Sequence, residues 1–580
     1  MENARKHLTI SSVIKRVMPN GTRRGDAASW HDMPDLPTDV FAACGYLLQL
    51  SSAYKSFLPE YVDSASGNTE VNLISSELKK WCEIGRKWRH SIEPPAEAVD
   101  SWRHLMDEYG DSAVFERGAR EFRREVWLLV YKLVVIADEA CDGMAFVDHS
   151  GPSGDTWTEK FIRAAYIRSA RYKNVDGTSH LQNMTGGLTT LAPFSDPDVV
   201  CVQFKSRVSG VGCNLRVLTK NLALLPPQGI VRSRWIPSMA KGRGSDERVL
   251  NLLLIPYPFK ISAMSFQASS SRGEINDGGV SLYPNRSGWF EMKASWCSDE
   301  GLENFLKFVS DLIEIAESDC GTVHGLIFPE GALKWEYISK LTKHLLDKHQ
   351  EIEFFVSGSI DNCNATSGNF AISVEFYVNA EGERKALVVS RAKHHRWRLD
   401  RSQIESYGLA SSLDPRVLWW EKTPILRREV IVNIFRERSI FATMICEDLA
   451  SSDPCHETIR AIGPNIVFVL LMDGPQIVSR WPGRYATALA DDPGSAVLTL
   501  TSLGLVARSN DGRGKEKNWS IGLWKDDSGT IREILCGPES QGVVLSLSAT
   551  LVKDQTLCGR ANCMAKSWRF HHQKAIKVNG

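Results

Sequence analysis

Cys446 is the residue of this 580-residue chain whose setting first suggests covalent chemistry. It ends an apolar run, 440–445, and is followed directly by Glu447 and Asp448. Two adjacent carboxylates raise the pKa of a thiol and disfavour the reactive thiolate. A nucleophilic role for Cys446 therefore requires a base and a cation from elsewhere in the chain. Asp448 itself is expected to cap the helix that follows.

Glu330 and Lys393 are the residues placed to supply that base and that cation. Each of them, like Cys446, sits where a predicted strand breaks into a loop. Acyl transfer through a cysteine needs a base for the thiol proton and a positive group for the charge that develops at the attacked carbon. Read singly, the three residues have structural alternatives, namely a buried cysteine, a helix-capping carboxylate and a solvated lysine. Their common setting favours a catalytic triad.

The elements around these residues alternate between strand and helix. Hairpin-like neighbours at 353–358, 370–378 and 384–390 indicate a mixed sheet, so the pattern predicts an α/β domain. Further strands are predicted at 249–255, 325–328, 429–434, 440–445, 465–471 and 496–501, and helices at 300–317, 335–349 and 482–490.

Four regions are expected along the chain, with the main boundary at the segment 241–246, which contains two glycines and reads as a linker. Helical periodicity at 73–88, 95–109 and 113–141 precedes that boundary. The expected regions are a flexible arm at 1–35, a mostly helical region with a short β-containing segment at 36–245, the α/β domain at 246–552, and a C-terminal tail at 553–580. The long loops 268–287 and 393–424 are expected to line the pocket of the α/β domain.

The ordered set of motifs resembles the nitrilase, or carbon–nitrogen hydrolase, superfamily. Phe328-Pro329-Glu330-Gly331, then Lys393, then Ile445-Cys446-Glu447-Asp448 are similar to the glutamate, lysine and cysteine motifs of that family. The segments 463–469, 484–490 and 497–504 are similar to the strand, helix and strand that follow its cysteine. The similarity covers roughly residues 247–552.

That resemblance implies a fold and a mechanism. The fold would be a four-layer α-β-β-α sandwich preceded by the mostly helical region. Glu330 would deprotonate Cys446, the thiolate would attack an amide or nitrile carbon, and Lys393 would stabilise the tetrahedral intermediate before water releases the thioester. The backbone N–H of Glu447 would join Lys393 at the oxyanion. Met472 and Trp481 would contact the substrate, although the sequence is equally consistent with both residues lying in the hydrophobic core.

The same resemblance implies no metal and no organic cofactor, and a homo-oligomer formed through the nitrilase-like domain. Many members have a second glutamate between the lysine and the cysteine, and here Glu405 is preferred to Glu421 for that place. Nitrilase-like domains attached to bacterial phage-defence proteins suggest an antiviral role, with residues 1–245 binding a partner protein. The alternative function is a nitrilase-like scaffold or sensor that binds a partner or small molecule without turnover.

Composition limits the kinds of partner, cellular location and metal site that the sequence can be expected to have. Lys plus Arg and Asp plus Glu are both 69, so the formal net charge of zero does not indicate a nucleic-acid or membrane partner. The first residues lack the apolar core of a secretory signal, and the most apolar helical candidate, at 126–131, is too short for a bilayer, so a cytoplasmic protein is expected. The 13 cysteines have irregular spacing, which predicts reduced thiols. Cys558, Cys563, His571 and His572 do not match a common zinc pattern.

Overall fold

The computed structural model describes residues 8–22, 29–54, 70–115, 124–146, 156–175, 177–238, 248–269, 286–379, 381–511 and 516–578. The predicted boundary segment 241–246 and most of the loop 268–287 lie outside the described residues. Among the helices of the described part, none is both long enough and apolar enough to cross a membrane.

Seven α-helices and five strands lie among the described residues before residue 240. A capping box formed by Thr9 and Ser12 begins α1. The apolar α5 packs against α2, α3 and α4, and the buried rings of Trp88 and Trp102 contribute to this core. The segment 113–115, predicted as helix, is not helical in the structure. The helices here are α1 (Ile10–Val17), α2 (Pro37–Ser51), α3 (Glu70–His90), α4 (Ala96–Tyr109), α5 (Arg124–Ala140), α6 (Trp157–Ser169) and α7 (Leu215–Leu218).

The later helices alternate with strands, as the sequence pattern predicts, and the irregular segment 393–424 contributes one of them, α10. They are α8 (Leu302–Cys320), α9 (Trp335–Lys348), α10 (Arg401–Ser406), α11 (Glu447–Ala450), α12 (Cys455–Ile462), α13 (Trp481–Asp491) and α14 (Leu503–Asp511).

The strands of the described residues form a mixed α/β architecture with several sheets. They are β1 (Tyr172–Asn174), β2 (Leu181–Met184), β3 (Cys201–Phe204), β4 (Leu222–Leu225), β5 (Arg232–Ile236), β6 (Val249–Leu254), β7 (Phe266–Ala268), β8 (Arg286–Met292), β9 (Gly325–Ile327), β10 (Phe354–Asp361), β11 (Ser367–Val378), β12 (Arg384–Ala392), β13 (Arg398–Leu399), β14 (Val417–Glu421), β15 (Glu429–Arg436), β16 (Ser439–Ile445), β17 (Ile466–Leu471), β18 (Ala496–Thr501), β19 (Ser520–Lys525), β20 (Ile531–Leu535), β21 (Gly542–Gln555) and β22 (Ala561–Ile576).

Three of the sheets carry the predicted catalytic residues or the alternative glutamate Glu421 at the ends of their strands. The large sheet has the order β1-β2-β12-β11-β10-β9-β6-β21-β22, and the second sheet has the order β20-β19-β18-β17-β16-β15-β5. The small sheet has the order β13-β14-β8-β7. A separate pair, β3 and β4, lies in the N-terminal region.

The large and second sheets meet through aromatic rings. Phe354 of β10 stacks against Phe441 of β16, with ring centroids 5.3 Å apart, and also contacts Phe435 and Phe468. Strands buried on both faces read as continuous apolar runs, which explains the unbroken pattern of β16 and β17. Helices α8 and α9 share a separate apolar core with β9, β10 and β11 of the large sheet.

The N-terminal region contributes strands to both main sheets. Strand β2 pairs in parallel with β12, and β5 pairs in parallel with β15. Strands from both sides of the predicted boundary at 241–246 therefore lie in the same sheets.

The expected tail at 553–580 contains a long strand instead. Strand β22 pairs with β21 along most of its length, and Trp568 is fully buried and donates to Ser439 Oγ over 3.1 Å. The prediction of a tail was wrong because β22 is an edge strand with alternating polar residues, which resembles a solvated segment when its pairing is unknown.

Candidate active site

Glu330, Lys393 and Cys446 all follow strand ends. Glu330 lies after β9, Lys393 directly after β12, and Cys446 directly after β16. Strands β9 and β12 run in the same direction in the large sheet, so their carboxyl ends meet at one edge. Cys446 reaches this edge from the second sheet. Strand ends hold such side chains rigidly.

Lys393 lies between two carboxylates. Its Nζ donates to Glu330 Oε1 and to Glu421 Oε2, each over 2.8 Å, and all three residues are buried. Burial disfavours the charged amine, but the charges of Glu330 and Glu421 hold the pKa of Lys393 well above its usual range. Lys393 is therefore a fixed ammonium group, suited to stabilising negative charge and unsuited to accepting a proton.

Asn369 of β11 joins the two glutamates. Its Nδ2 donates over 2.7 Å to Glu330 Oε1 and over 2.7 Å to Glu421 Oε1. Glu330 Oε2 and Asn369 Oδ1 are buried and have no hydrogen-bond partner among the described residues. Sequence reasoning missed Asn369, whose signal was a polar residue at the start of the apolar run 370–378.

Glu330 has the properties of a base. Burial raises its pKa above the usual range of a carboxyl group, and the ammonium of Lys393 opposes that rise. A carboxylate with raised pKa and an unpaired oxygen can accept a proton from a nearby donor. The backbone on which it sits is tightly packed, since a Cβ on Gly358 would lie 2.4 Å from Glu330 Cα.

Cys446 occupies a strained turn between β16 and α11. Its φ of +44° is rare for a residue other than glycine and costs on the order of 1–3 kcal/mol. Its N–H donates to Leu470 O over 2.9 Å, and the residue is 2% exposed. Burial and the charge of Glu330 raise the pKa of the thiol well above its usual range, and Lys393 opposes this shift. Cys446 therefore rests as a thiol that needs a base.

Asp448 fixes the position of the segment that carries Lys393. It is fully buried, its Oδ2 accepts from Arg391 Nη2 over 2.6 Å, and its Oδ1 accepts from the His394 N–H over 3.1 Å. Burial raises the pKa of Asp448, but the Arg391 charge and a hydrogen bond from His395 outweigh it and lower the pKa to about 2. An ion pair thus ties the cysteine turn to the lysine segment. The expectation that Asp448 caps the following helix was wrong, because Asp448 lies within α11 and neither α11 nor α12 has a side-chain cap.

The structure brings Glu421, and not Glu405, to Lys393. Glu421 ends β14, whereas Glu405 lies on α10, pairs with Arg401 over 2.8 Å and has a side chain that is 53% exposed. The preference for Glu405 fails because β14 is part of the small sheet, and this places Glu421 beside Lys393. The local sequence does not reveal that sheet. The signal available in the sequence was that Glu421 ends an apolar, aromatic stretch.

The residues predicted to contact substrate lie in three settings. Glu447 is half-buried at the start of α11, and burial raises the pKa of its carboxyl group. Met472 is buried in the core beneath the small sheet. Trp481 begins α13, and its ring lies edge-on to that of Tyr485. Among the described residues, no group of three or more His, Cys, Asp or Glu side chains is arranged to hold a metal ion.

Comparison with known proteins identifies structural neighbours only. No family model and no curated protein matches the sequence. Similar solved structures include Nit3 of Saccharomyces cerevisiae, a member of branch 10 of the nitrilase superfamily, with 10% identity, a TM-score of 0.29 and coverage of 52% of this chain and 90% of that chain. A carbon–nitrogen hydrolase of Helicobacter pylori has 9% identity, a TM-score of 0.26 and coverage of 57% and 90%. The NitFhit protein of C. elegans has 12% identity, a TM-score of 0.29 and coverage of 52% and 61%.

Proposed function

We propose that this chain is a cysteine-dependent hydrolase of a non-peptide carbon–nitrogen bond in a small-molecule amide or nitrile. The observation that carries the proposal is the buried network of Glu330, Asn369, Glu421 and Lys393 beside the Cys446 turn. It provides a fixed cation, a base with raised pKa and a nucleophile in one place. The motif order in the sequence supports the same reading. We also propose that the two main sheets and their helices form a four-layer α-β-β-α sandwich.

The first half-reaction on an amide needs one proton relay. Glu330 Oε2 takes the Cys446 thiol proton as sulfur attacks the carbonyl carbon, so the C–S bond forms and the C=O electron pair moves to oxygen. Lys393 Nζ and the Glu447 N–H stabilise that oxyanion. When the intermediate collapses, the C–N bond breaks, and Glu330 returns the proton to the departing amine.

The second half-reaction releases the acyl group. Glu330 takes a proton from water, the C–O bond forms, and the C–S bond of the thioester breaks. The proton held by Glu330 restores the thiol. Lys393 keeps its charge throughout because its pKa is held high.

The experiment is competitive alkylation of the whole protein with chloroacetamide, a small amide-like electrophile, read by peptide mass spectrometry. Cys213 and Cys563 are exposed and serve as internal reference thiols. We expect Cys446 to react faster than both, and Glu330→Gln to slow it by about 10²–10⁴-fold, as expected for loss of a general base. Cys446→Ser is expected to keep the fold and lose hydrolysis of amides. If Cys446 reacts no faster than Cys213 and Glu330→Gln changes nothing, the hydrolase is excluded.

The second candidate function is a scaffold or sensor, and the 2% exposure of Cys446 favours it specifically. A closed site without turnover would protect Cys446 from chloroacetamide while a partner or small molecule binds elsewhere. Loss of the fold in Cys446→Ser would likewise show that the cysteine is structural. An antiviral role and oligomerisation remain proposals that follow from the sequence resemblance.

A further inference from the structure

The outward face of the small sheet carries an unusual row of side chains. Arg398 of β13 lies opposite Trp420 of β14, and Trp420 lies beside Trp289 of β8. Trp420 is 37% exposed and Trp289 is 38% exposed. Neighbouring strands are about 4.8 Å apart, so this row spans roughly 10 Å. We name these residues, together with Arg396, the Trp–Arg row.

Each exposed ring in the row has a guanidinium group over it. Arg396 Cζ lies 5.2 Å from the centre of the Trp289 ring, and Arg398 Cζ lies 5.9 Å from the centre of the Trp420 ring. Such contacts hold a guanidinium plane near an aromatic surface and leave N–H donors available for an anion.

Within the part of the chain that the structure describes, the charges of Arg396 and Arg398 have no counterion. Nearby surface cations are neutralised, since Lys422 pairs with Glu291, Arg401 with Glu405 and Arg416 with Asp414. Among the described residues, neither Arg396 nor Arg398 makes an ion pair, and Arg396 Nε is buried without a hydrogen-bond partner. The row thus combines flat apolar surface with uncompensated positive charge.

The strands of the row also shape the candidate active site on their other side. Trp397, between the two arginines, packs inward, and its backbone N–H donates to Glu421 Oε2 over 2.9 Å. Glu421 N–H donates in return to Trp397 O over 2.8 Å. The row is therefore built on backbone that the site itself holds rigid.

We propose that the Trp–Arg row binds a nucleoside phosphate. A nucleobase can stack on the indole surface, and a phosphate can accept paired hydrogen bonds from a guanidinium. The width of roughly 10 Å suits one nucleotide. The formal net charge of zero gives the chain no general attraction for a polyanion, which favours a small ligand over a nucleic-acid strand. This site is independent of the proposed hydrolysis.

Isothermal titration calorimetry of the full chain with adenosine 5′-monophosphate tests the proposal. We expect saturable binding that weakens about tenfold or more in Trp420→Ala and in Arg398→Gln, and that Trp420→Phe largely retains. Arg401→Gln removes a cation from the neighbouring helix and is the matched control, with unchanged binding expected. Adenosine, which lacks the phosphate, should bind at least about tenfold more weakly.

Three results overturn the proposal. The first is no heat of binding at millimolar nucleotide, and the second is binding that Trp420→Ala and Arg398→Gln leave unchanged. The third is binding of a short oligodeoxythymidylate without binding of the mononucleotide, which would make the row a nucleic-acid surface. Self-association that is lost only in the two variants, in the absence of nucleotide binding, would assign the row to a contact between copies of this chain.

Discussion

Lys393 shows how one residue can be restricted to a single chemical role. Two carboxylates hold it as an ammonium group, while Glu330 Oε2, which has no hydrogen-bond partner among the described residues, takes the thiol proton in the proposed mechanism. In the proposed mechanism, Glu421 orients the cation and takes no proton. Glu421 Oε1 accepts a hydrogen bond from Asn369 Nδ2. Glu421 Oε2, which pairs with Lys393, also accepts one from the backbone N–H of Trp397.

Glu421→Gln should slow chloroacetamide modification of Cys446 by about 10–100-fold, the usual effect of losing an outer partner that orients a reacting group. The neutral amide removes one of the two negative charges that hold Lys393. Glu405→Gln is the matched control, because that side chain is exposed and pairs only with Arg401 among the described residues. Equal rates in the two variants, with equal unfolding midpoints, would contradict the placement of Glu421 in the site.

At the scale of elements, the ion pair of Asp448 and Arg391 joins α11 to the segment after β12. Because the pKa of Asp448 is lowered to about 2, below its value in the unfolded chain, its ionisation stabilises the fold. That stability is present above the unfolded-state pKa of about 3.9 and is lost as the pH falls through about 2.

Asp448→Asn should lower the free energy of unfolding at pH 7 by about 3–5 kcal/mol, because it leaves a buried guanidinium unpaired. The variant should also lose less stability than the parent between pH 4 and about pH 2. Urea unfolding at several pH values measures both effects. Asp453→Asn breaks an exposed pair with Arg428 and is expected to change stability by less than about 1 kcal/mol. An equal decrease in the free energy of unfolding in the two variants would show that the buried pair stabilises the fold no more than the exposed pair does.

The residues of the candidate site were easier to predict than their partners. Glu330, Lys393 and Cys446 each follow an apolar stretch, so local pattern alone marks them as ends of strands. Choosing Glu421 over Glu405 required the pairing of β14 with β8, across a sequence separation that no local pattern encodes. The same limit hid Asn369, β22 and the pairing of β2 and β5 with the main sheets, since strand pairing depends on distant partners.

At the scale of the whole molecule, buried charges bind the N-terminal region to the C-terminal hairpin. Arg560, in the turn between β21 and β22, donates to Asp138 over 2.8 Å and to Glu139 over 2.9 Å, both at the end of α5. Arg207 forms two hydrogen bonds with Asp554 of β21. The regions expected as 36–245 and 553–580 are thus joined directly as well as through the sheets.

Arg560→Met should therefore destabilise the whole chain, lowering the free energy of unfolding by about 3–5 kcal/mol, because buried Asp138 loses its ion-pair partner and buried Glu139 keeps only Lys220. Lys574→Met on the same hairpin removes only an exposed pair with Asp319, so we expect a change below about 1 kcal/mol. Urea unfolding followed by far-ultraviolet circular dichroism, which reports the helices, and by tryptophan fluorescence should show one coincident transition in both variants. Separate transitions, or an Arg560→Met midpoint equal to that of Lys574→Met, would show that the helical region folds independently of the hairpin.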